Sequence, residues 1–139
     1  MTHSLATTDD LTAALDTLVD RVPGAEYAVV LSPDGLPLGR SRNVEDDQAE
    51  QIAGIISGLH AFGQAATRAC EATVLHQVVM QMSRAFVFVA TTRSGAILTV
   101  RLGADAEVGD MAYEVALFVA QAERDLPVHL EPARAIRNG

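Results

Sequence analysis

Leu11, Ala14, Leu15, Leu18, Val19 and Val22 recur at i, i+3, i+4, i+7, i+8 and i+11, with Asp9, Asp10, Asp16, Asp20 and Arg21 on the other faces. That spacing predicts an amphipathic helix. Thr7 or Thr8 offers a cap, the first two aspartates complement the positive end of the helix dipole, and Pro23-Gly24 stops the chain. The helix is therefore predicted near residues 8–22. Tyr27 to Leu31 is a short apolar and β-branched run, followed by the turn sequence Ser32-Pro33-Asp34-Gly35 and a second extended run from Leu36 to Arg42. These predict a β-hairpin.

Asn43-Val44-Glu45-Asp46-Asp47 supplies cap chemistry and negative charge for a second helix reaching about Arg68. This helix carries two apolar faces. Ile52, Ile55, Ile56, Leu59 and Phe62 form a bulky stripe, and Gly54, Gly58, Ala61 and Ala65 form a flat one roughly opposite. From Thr73 the period changes to two, with Val74, His76, Val78, Met80 and Met82 on one face and Leu75, Gln77, Val79 and Gln81 on the other. A strand is predicted there. Ser83-Arg84 turns into Ala85 to Thr91, whose Phe86-Val87-Phe88-Val89 core predicts a central strand covered on both faces. Arg93-Ser94-Gly95 turns again into Ala96 to Leu102, which completes an antiparallel meander. A last helix is predicted from near Asp105 to before Pro127, with Val108, Ala112, Val115, Val119 and Ala122 as its stripe, widened by Met111 and Phe118. The expected fold is α+β, a five-stranded antiparallel sheet with flanking helices in the order helix-strand-strand-helix-strand-strand-strand-helix. Residues 8–126 should make one domain, with a flexible N-terminus over 1–7 and a flexible tail over 127–139 that shows no period.

Composition narrows the function. The 139 residues are 49% hydrophobic and 20% charged, enough to bury a core without staples, and the single Cys70 excludes an internal disulfide. All basic residues are arginines scattered singly from Arg21 to Arg137, and the net charge is -8 with no Trp, so nucleic acid is not an expected partner. The first eight residues contain neither a basic nor an apolar stretch, so no secretory leader is expected. Gln51 to Thr67 is free of charge but too short and polar to cross a bilayer. A cytoplasmic location follows, with a partner as the means of any recruitment to a membrane.

Catalytic and ligand-binding signatures are sparse. Without any lysine there is no phosphate-binding loop, so the chain is not itself expected to be a GTPase, and Gly95, Gly103 and Gly109 do not make a dinucleotide fingerprint. His3, His60, His76 and His129 are dispersed, none three or four residues from another His or from Cys70, so no metal is expected. Cys70 beside His60 or His76 would give a nucleophile and base only in outline, because Cys70 falls at a helix exit and reads as a small buried hydrophobe. His76 reads as an interior or interface residue. Glu45, Asp46, Asp47 and Glu50 read as solvated charges at a helix start. No cofactor is expected.

The second helix is the informative feature. A helix on a sheet needs one apolar stripe, so Gly54, Gly58, Ala61 and Ala65 should face other protein, and small side chains there let two backbones approach closely. Two glycines in mid-helix cost roughly 1 kcal/mol each relative to alanine, and self-association would offset that cost.

At this point the residues resemble a family. The first helix with its Val22-Pro23-Gly24 exit, the stretch Val29-Val30-Leu31-Ser32-Pro33-Asp34-Gly35-Leu36-Pro37-Leu38, the small-residue helix and Ala112-Tyr113-Glu114-Val115-Ala116-Leu117 are similar to the Roadblock (dynein light-chain type) domain, in its stand-alone actinobacterial branch. The resemblance spans about residues 8–125. It implies a non-catalytic homodimer paired through the second helix and third strand, with Gly54, Gly58, Ala61, Ala65, His76 and Val78 at the interface. It also implies a regulatory or scaffold role on a small Ras-like GTPase, alongside a sensor-kinase-like protein. No catalytic residue is implied, although Arg40, Arg42, Arg84 and Arg93 lie near turns from which an arginine could reach a partner. A PAS- or GAF-like small-ligand sensor would share the pattern, but it needs convergent interior polar groups, for which His76 and Tyr113 are the main candidates.

Overall fold

In the computed structural model, residues 8–72, 74–92 and 94–125 are described. They form α1 (Thr8–Arg21), β1 (Ala25–Leu31), β2 (Pro37–Arg40), α2 (Asp46–Ala69), β3 (Gln77–Gln81), β4 (Ala85–Thr91), β5 (Ile97–Gly103) and α3 (Val108–Asp125). The order is the one the periodicities predict. The strands make one antiparallel sheet in the spatial order β2-β1-β5-β4-β3. Thr7 and the two terminal segments, 1–7 and 127–139, lie outside the described residues.

Side-chain alternation along the strands builds a core on each face of the sheet. Ala28, Val30, Phe88, Ala90, Leu98, Val100 and Leu102 point to the face covered by α1 and α3, where they meet Leu11, Leu15, Leu18, Met111 and Val115. Val29, Leu31, Val89 and Ile97 point to the opposite face, under Ala49, Ala53 and Ile56 of α2. The result is three layers, α1/α3, sheet and α2. Leu15 is fully buried, and each such side chain stabilises the fold by roughly 2 kcal/mol.

The two long turns share one construction. In the first, Ser32 Oγ accepts from Leu36 N–H at 3.0 Å and Ser32 O accepts from Gly35 N–H at 2.8 Å. In the second, Thr92 Oγ1 accepts from Ala96 N–H at 3.1 Å and Thr92 O accepts from Gly95 N–H at 3.0 Å. Each needs glycine at its fourth position, where φ is +91° and +96°. The β3–β4 connection is a two-residue hairpin loop, with Met82 N–H donating to Ala85 O at 2.8 Å.

The structure corrects several expected details. β5 is the middle strand of the five; β4 is interior and covered on both faces as expected, but it lies next to the edge strand β3, and Phe86 and Val87 are only half-buried. β2 ends at Arg40 rather than Arg42: at Ser41 the backbone N–H still donates to Ala28 O at 2.9 Å, but the return bond from Ala28 N–H goes to Ser41 Oγ at 2.9 Å instead of to a backbone carbonyl. β3 starts at Gln77 rather than Thr73, since Gln77 already pairs with Ala90 and β4 ends one residue further on.

Candidate interaction surface

α2 begins with Glu45 as its cap residue, whose N–H donates to Gln48 Oε1 at 3.4 Å, and its first turn carries Asp46 and Asp47 at the positive end of the dipole. Ala49, Ala53 and Ile56 are its buried face, and small alanines there let the helix lie close on the sheet. Ile52 and Leu59 pack partly against the same core. Gly63 marks a second close approach, because a Cβ there would come within 3.0 Å of Leu75 Cδ2 and 3.1 Å of Val78 Cγ2.

The predicted small-residue stripe faces away from the sheet. Gly54, Gly58, Ala61 and Ala65 are all exposed, and a Cβ built at Gly54 or Gly58 meets nothing within 4 Å. The bulky stripe divides. Ile52, Ile56 and Leu59 turn to the sheet, but Ile55 is 58% and Phe62 77% exposed on the flank nearest β3. Ile55 shares an open apolar groove of about 200 Å³ with Tyr27, Ile52, Met80, Met82 and Arg101. Val74, Val79 and Met82 are also exposed around β3, whose outer edge has no strand beside it among the described residues. Val78 is half-buried beneath α2, whereas His76 is exposed and precedes the strand. The predicted interface residues thus cluster on one side of the molecule, on α2 and along the β3 edge. Ile55, Phe62 and Met82 extend the same surface. Periodicity alone assigned Ile55 and Phe62 to the core. A stripe from Ile52 to Phe62 is too wide for one sheet contact, and that width was the available signal.

Other candidates are not assembled into a site. Arg40 is ion-paired with Asp46. Arg42 donates from Nη1 and Nη2 to Asp20 at 3.1 and 3.0 Å, and its backbone N–H donates to Asp16 Oδ1 at 2.7 Å. The hydrogen bond to Asp20, with Coulomb attraction to Asp16 and Asp20, raises the pKa of its guanidinium above the usual value. Arg84 is exposed in the β3–β4 loop with no ion pair or hydrogen bond to a described residue, and Arg93 lies outside the described residues. Arg40 and Arg84 belong to opposite edges of the sheet, four strand spacings or roughly 19 Å apart. Arg101 Nε lies 2.8 Å from Glu26 Oε1, a charge contact in which the N–H is not aimed at the oxygen.

Cys70 is exposed, contrary to expectation, because α2 ends there and the chain turns outward through Glu71 at φ 58°. Tyr113, 65% exposed, and His76 point to solvent rather than into an interior chamber. Burial on α2 lowers the pKa of His60, whose Nε2 is 3.1 Å from Thr91 Oγ1 on β4. Among the described residues no group of three His, Cys, Asp or Glu side chains converges in a way that would hold a metal, and no helix is long and apolar enough to cross a membrane.

The three layers make a small α+β domain with exposed apolar side chains on the outer face of α2 and around β3. The sequence pattern of the Roadblock/LC7 domain matches residues 11–102, and the chain belongs to that family. It is 32% identical to a Roadblock/LC7 domain from Streptomyces avermitilis of known crystal structure, over 81% of this chain and 94% of that one, with a TM-score of 0.77. The same fold appears in MglB of Myxococcus xanthus, at 10% identity and TM-score 0.75 over 82% and 92% of the two chains. It also appears in the gliding protein MglB of Thermus thermophilus, at 17% identity and TM-score 0.74 over 90% and 91%. No curated protein matches the chain.

Proposed function

We propose that the chain is a non-catalytic regulatory or scaffold protein that pairs with a second copy of itself and binds a small Ras-like GTPase. The observation that carries this reading is the outer face of α2, free of charge from Gln51 to Thr67 and exposing Gly54, Gly58, Ala61, Ala65, Ile55 and Phe62 to solvent in the single chain. An apolar surface of that kind marks a protein interface. Self-association uses α2 and the β3 edge, with His76 and Val78 at its margin, and membership of the Roadblock family supports the GTPase as partner. A sensor-kinase-like protein is the proposed third component of a bacterial signalling system, and it is the route by which a cytoplasmic dimer reaches a membrane. Family membership and the open form of the apolar groove favour this reading over a PAS- or GAF-like ligand sensor.

The test has two parts. Light scattering at micromolar concentration should give the mass of a dimer, and Phe62→Glu, exposed in one chain, should give a soluble monomer. Titration of the dimer with a cognate Ras-like GTPase should show saturable binding that Phe62→Glu weakens. A monomeric wild type removes the self-association, and no binding in either nucleotide state removes the GTPase.

A further inference from the structure

We infer that the groove between α1 and α3, on the face of the sheet opposite α2, docks a cationic amphipathic helix of another protein. The groove, of about 300 Å³, is lined by Ala14, Leu18, Leu117 and Phe118, with Arg21 and Glu114 at one end. Leu117 is 45% exposed, and Tyr113, one turn earlier on the same side of α3, is 65% exposed. Two large apolar side chains at the rim of an apolar furrow are unfavourable in water, and a partner that covers them removes that cost. The inference is independent of the proposed function, which uses the other face.

Charge decides the occupant. α1, α3 and the loop leading into α3 hold ten of the chain's eighteen acidic residues but only two of its ten arginines, Arg21 and Arg124. Asp16 and Asp20 turn toward β2, where Arg42 pairs with them. The groove has its own carboxylates. Arg21, at the end of α1, lies 4.0 Å from Glu114 in the first half of α3, so the two helices run antiparallel. Asp10, one turn before Ala14, therefore falls at one end of the groove, while Glu114 and the exposed Asp110, one turn before it, fall at the other. Among the described residues the only cation lining the groove is Arg21, at the limit of ion-pair distance from Glu114.

An apolar middle with a carboxylate toward each end fits a helix whose apolar residues recur at i, i+3 or i+4 and i+7 and whose Lys or Arg residues flank that stripe. The furrow between two antiparallel helices is straight, and a third helix packs along it as helices pack in layered domains. From Asp10 to Arg21 is about 16 Å at roughly 1.5 Å per residue, so three turns of the partner span the groove. The same charge argues against other occupants. A second copy related by a two-fold axis would lay one acidic face on another. Nucleic acid and anionic lipid surfaces are repelled for the same reason.

A fluorescent peptide of about 18 residues, built of leucine and lysine in helical period, is the probe, titrated into the full chain and read by anisotropy. It should bind saturably, and a peptide of the same composition in scrambled order should bind at least several-fold more weakly. Leu117→Asp separates docking from bulk attraction, because it adds negative charge while removing apolar contact. Docking in the groove is weakened by about tenfold, whereas a purely electrostatic association is kept or strengthened. Tyr113→Asp, at a more exposed position, repeats that comparison in a second fold background. Asp110→Asn with Glu114→Gln should weaken binding several-fold and flatten its salt dependence. Phe62→Glu, on the opposite face, should leave binding unchanged. Equal binding of the scrambled peptide, undiminished binding by both aspartate variants, or no binding by the full chain overturns the proposal. A fall in the mass of the protein on Leu117→Asp alone overturns it as well, by assigning the groove to another copy.

Discussion

Gly35 and Gly58 are glycines for opposite reasons. Gly35 sits at φ +91°, and a Cβ there would run into Ser57 Oγ, a buried hydroxyl with no hydrogen-bond partner among the described residues. Gly35→Ala combines backbone strain with a clash, and it should destabilise the fold by roughly 1–3 kcal/mol in urea unfolding. His60 has a different consequence. Burial lowers its folded pKa, so the unfolded chain binds a proton more readily in the range below the ordinary value of 6.5. Stability should then be fully present above that range and fall as the pH drops through it. His60→Gln keeps a hydrogen-bonding group near Thr91 and removes the titration. Unfolding at pH 7.5 and pH 5.5 should therefore show a smaller acid loss in His60→Gln than in the wild type, and equal losses would assign the pH effect to other groups.

At the scale of elements, α2 separates fold from function. Gly58→Ala places a methyl group in open space on an exposed helix face, and it should stabilise the single chain by roughly 0.5–1 kcal/mol. If two α2 helices approach over that face, the same methyl group holds them apart. Thermal unfolding at low concentration should show the gain, and sedimentation should show weaker association; unaltered association would move the contact to the Ile55–Phe62 flank. The elements themselves were legible because Leu11, Leu15 and Leu18, or Ala28 and Val30 against Val29 and Leu31, keep a clean period that burial on one or two faces enforces. The turn at Ser32–Leu36 was legible for the same local reason, through a proline and a glycine. Sheet order was not legible, since Phe86–Val89 is if anything more apolar than Ile97–Val100, which contains Thr99, and position in the sheet depends on long-range pairing. The exposure of Cys70 and His76 was illegible for a related reason: whether an edge strand extends as far as His76 depends on where β4 ends. In the candidate surface the small stripe was recognised and the large residues beside it were not, because a side chain that awaits a partner carries the same pattern as one already buried.

At the scale of the whole molecule, the two faces of the sheet have unequal tasks. α1 and α3 close one core, while α2 closes the other and presents an uncharged surface outward. The acidic side chains gather on α1, at the α2 entry and around α3, which leaves Gln51–Thr67 of α2 free of charge for apolar contact. Of the described candidate arginines, Arg40 and Arg42 are committed to carboxylates and Arg84 lies on the far edge, which favours selective binding over an inserted arginine as the mechanism of the proposed function. A surface without chemistry of its own shifts a GTPase between switch-loop conformations only to the extent that it binds one of them better. The proposed function therefore predicts that a dimer binds the GTP-loaded and GDP-loaded forms of a cognate GTPase with different affinities, and a tenfold ratio would correspond to about 1.4 kcal/mol of bias. Calorimetric titration of both forms measures it directly. Equal affinities would reduce the protein to a scaffold, because a ligand indifferent to two states leaves their populations where they were.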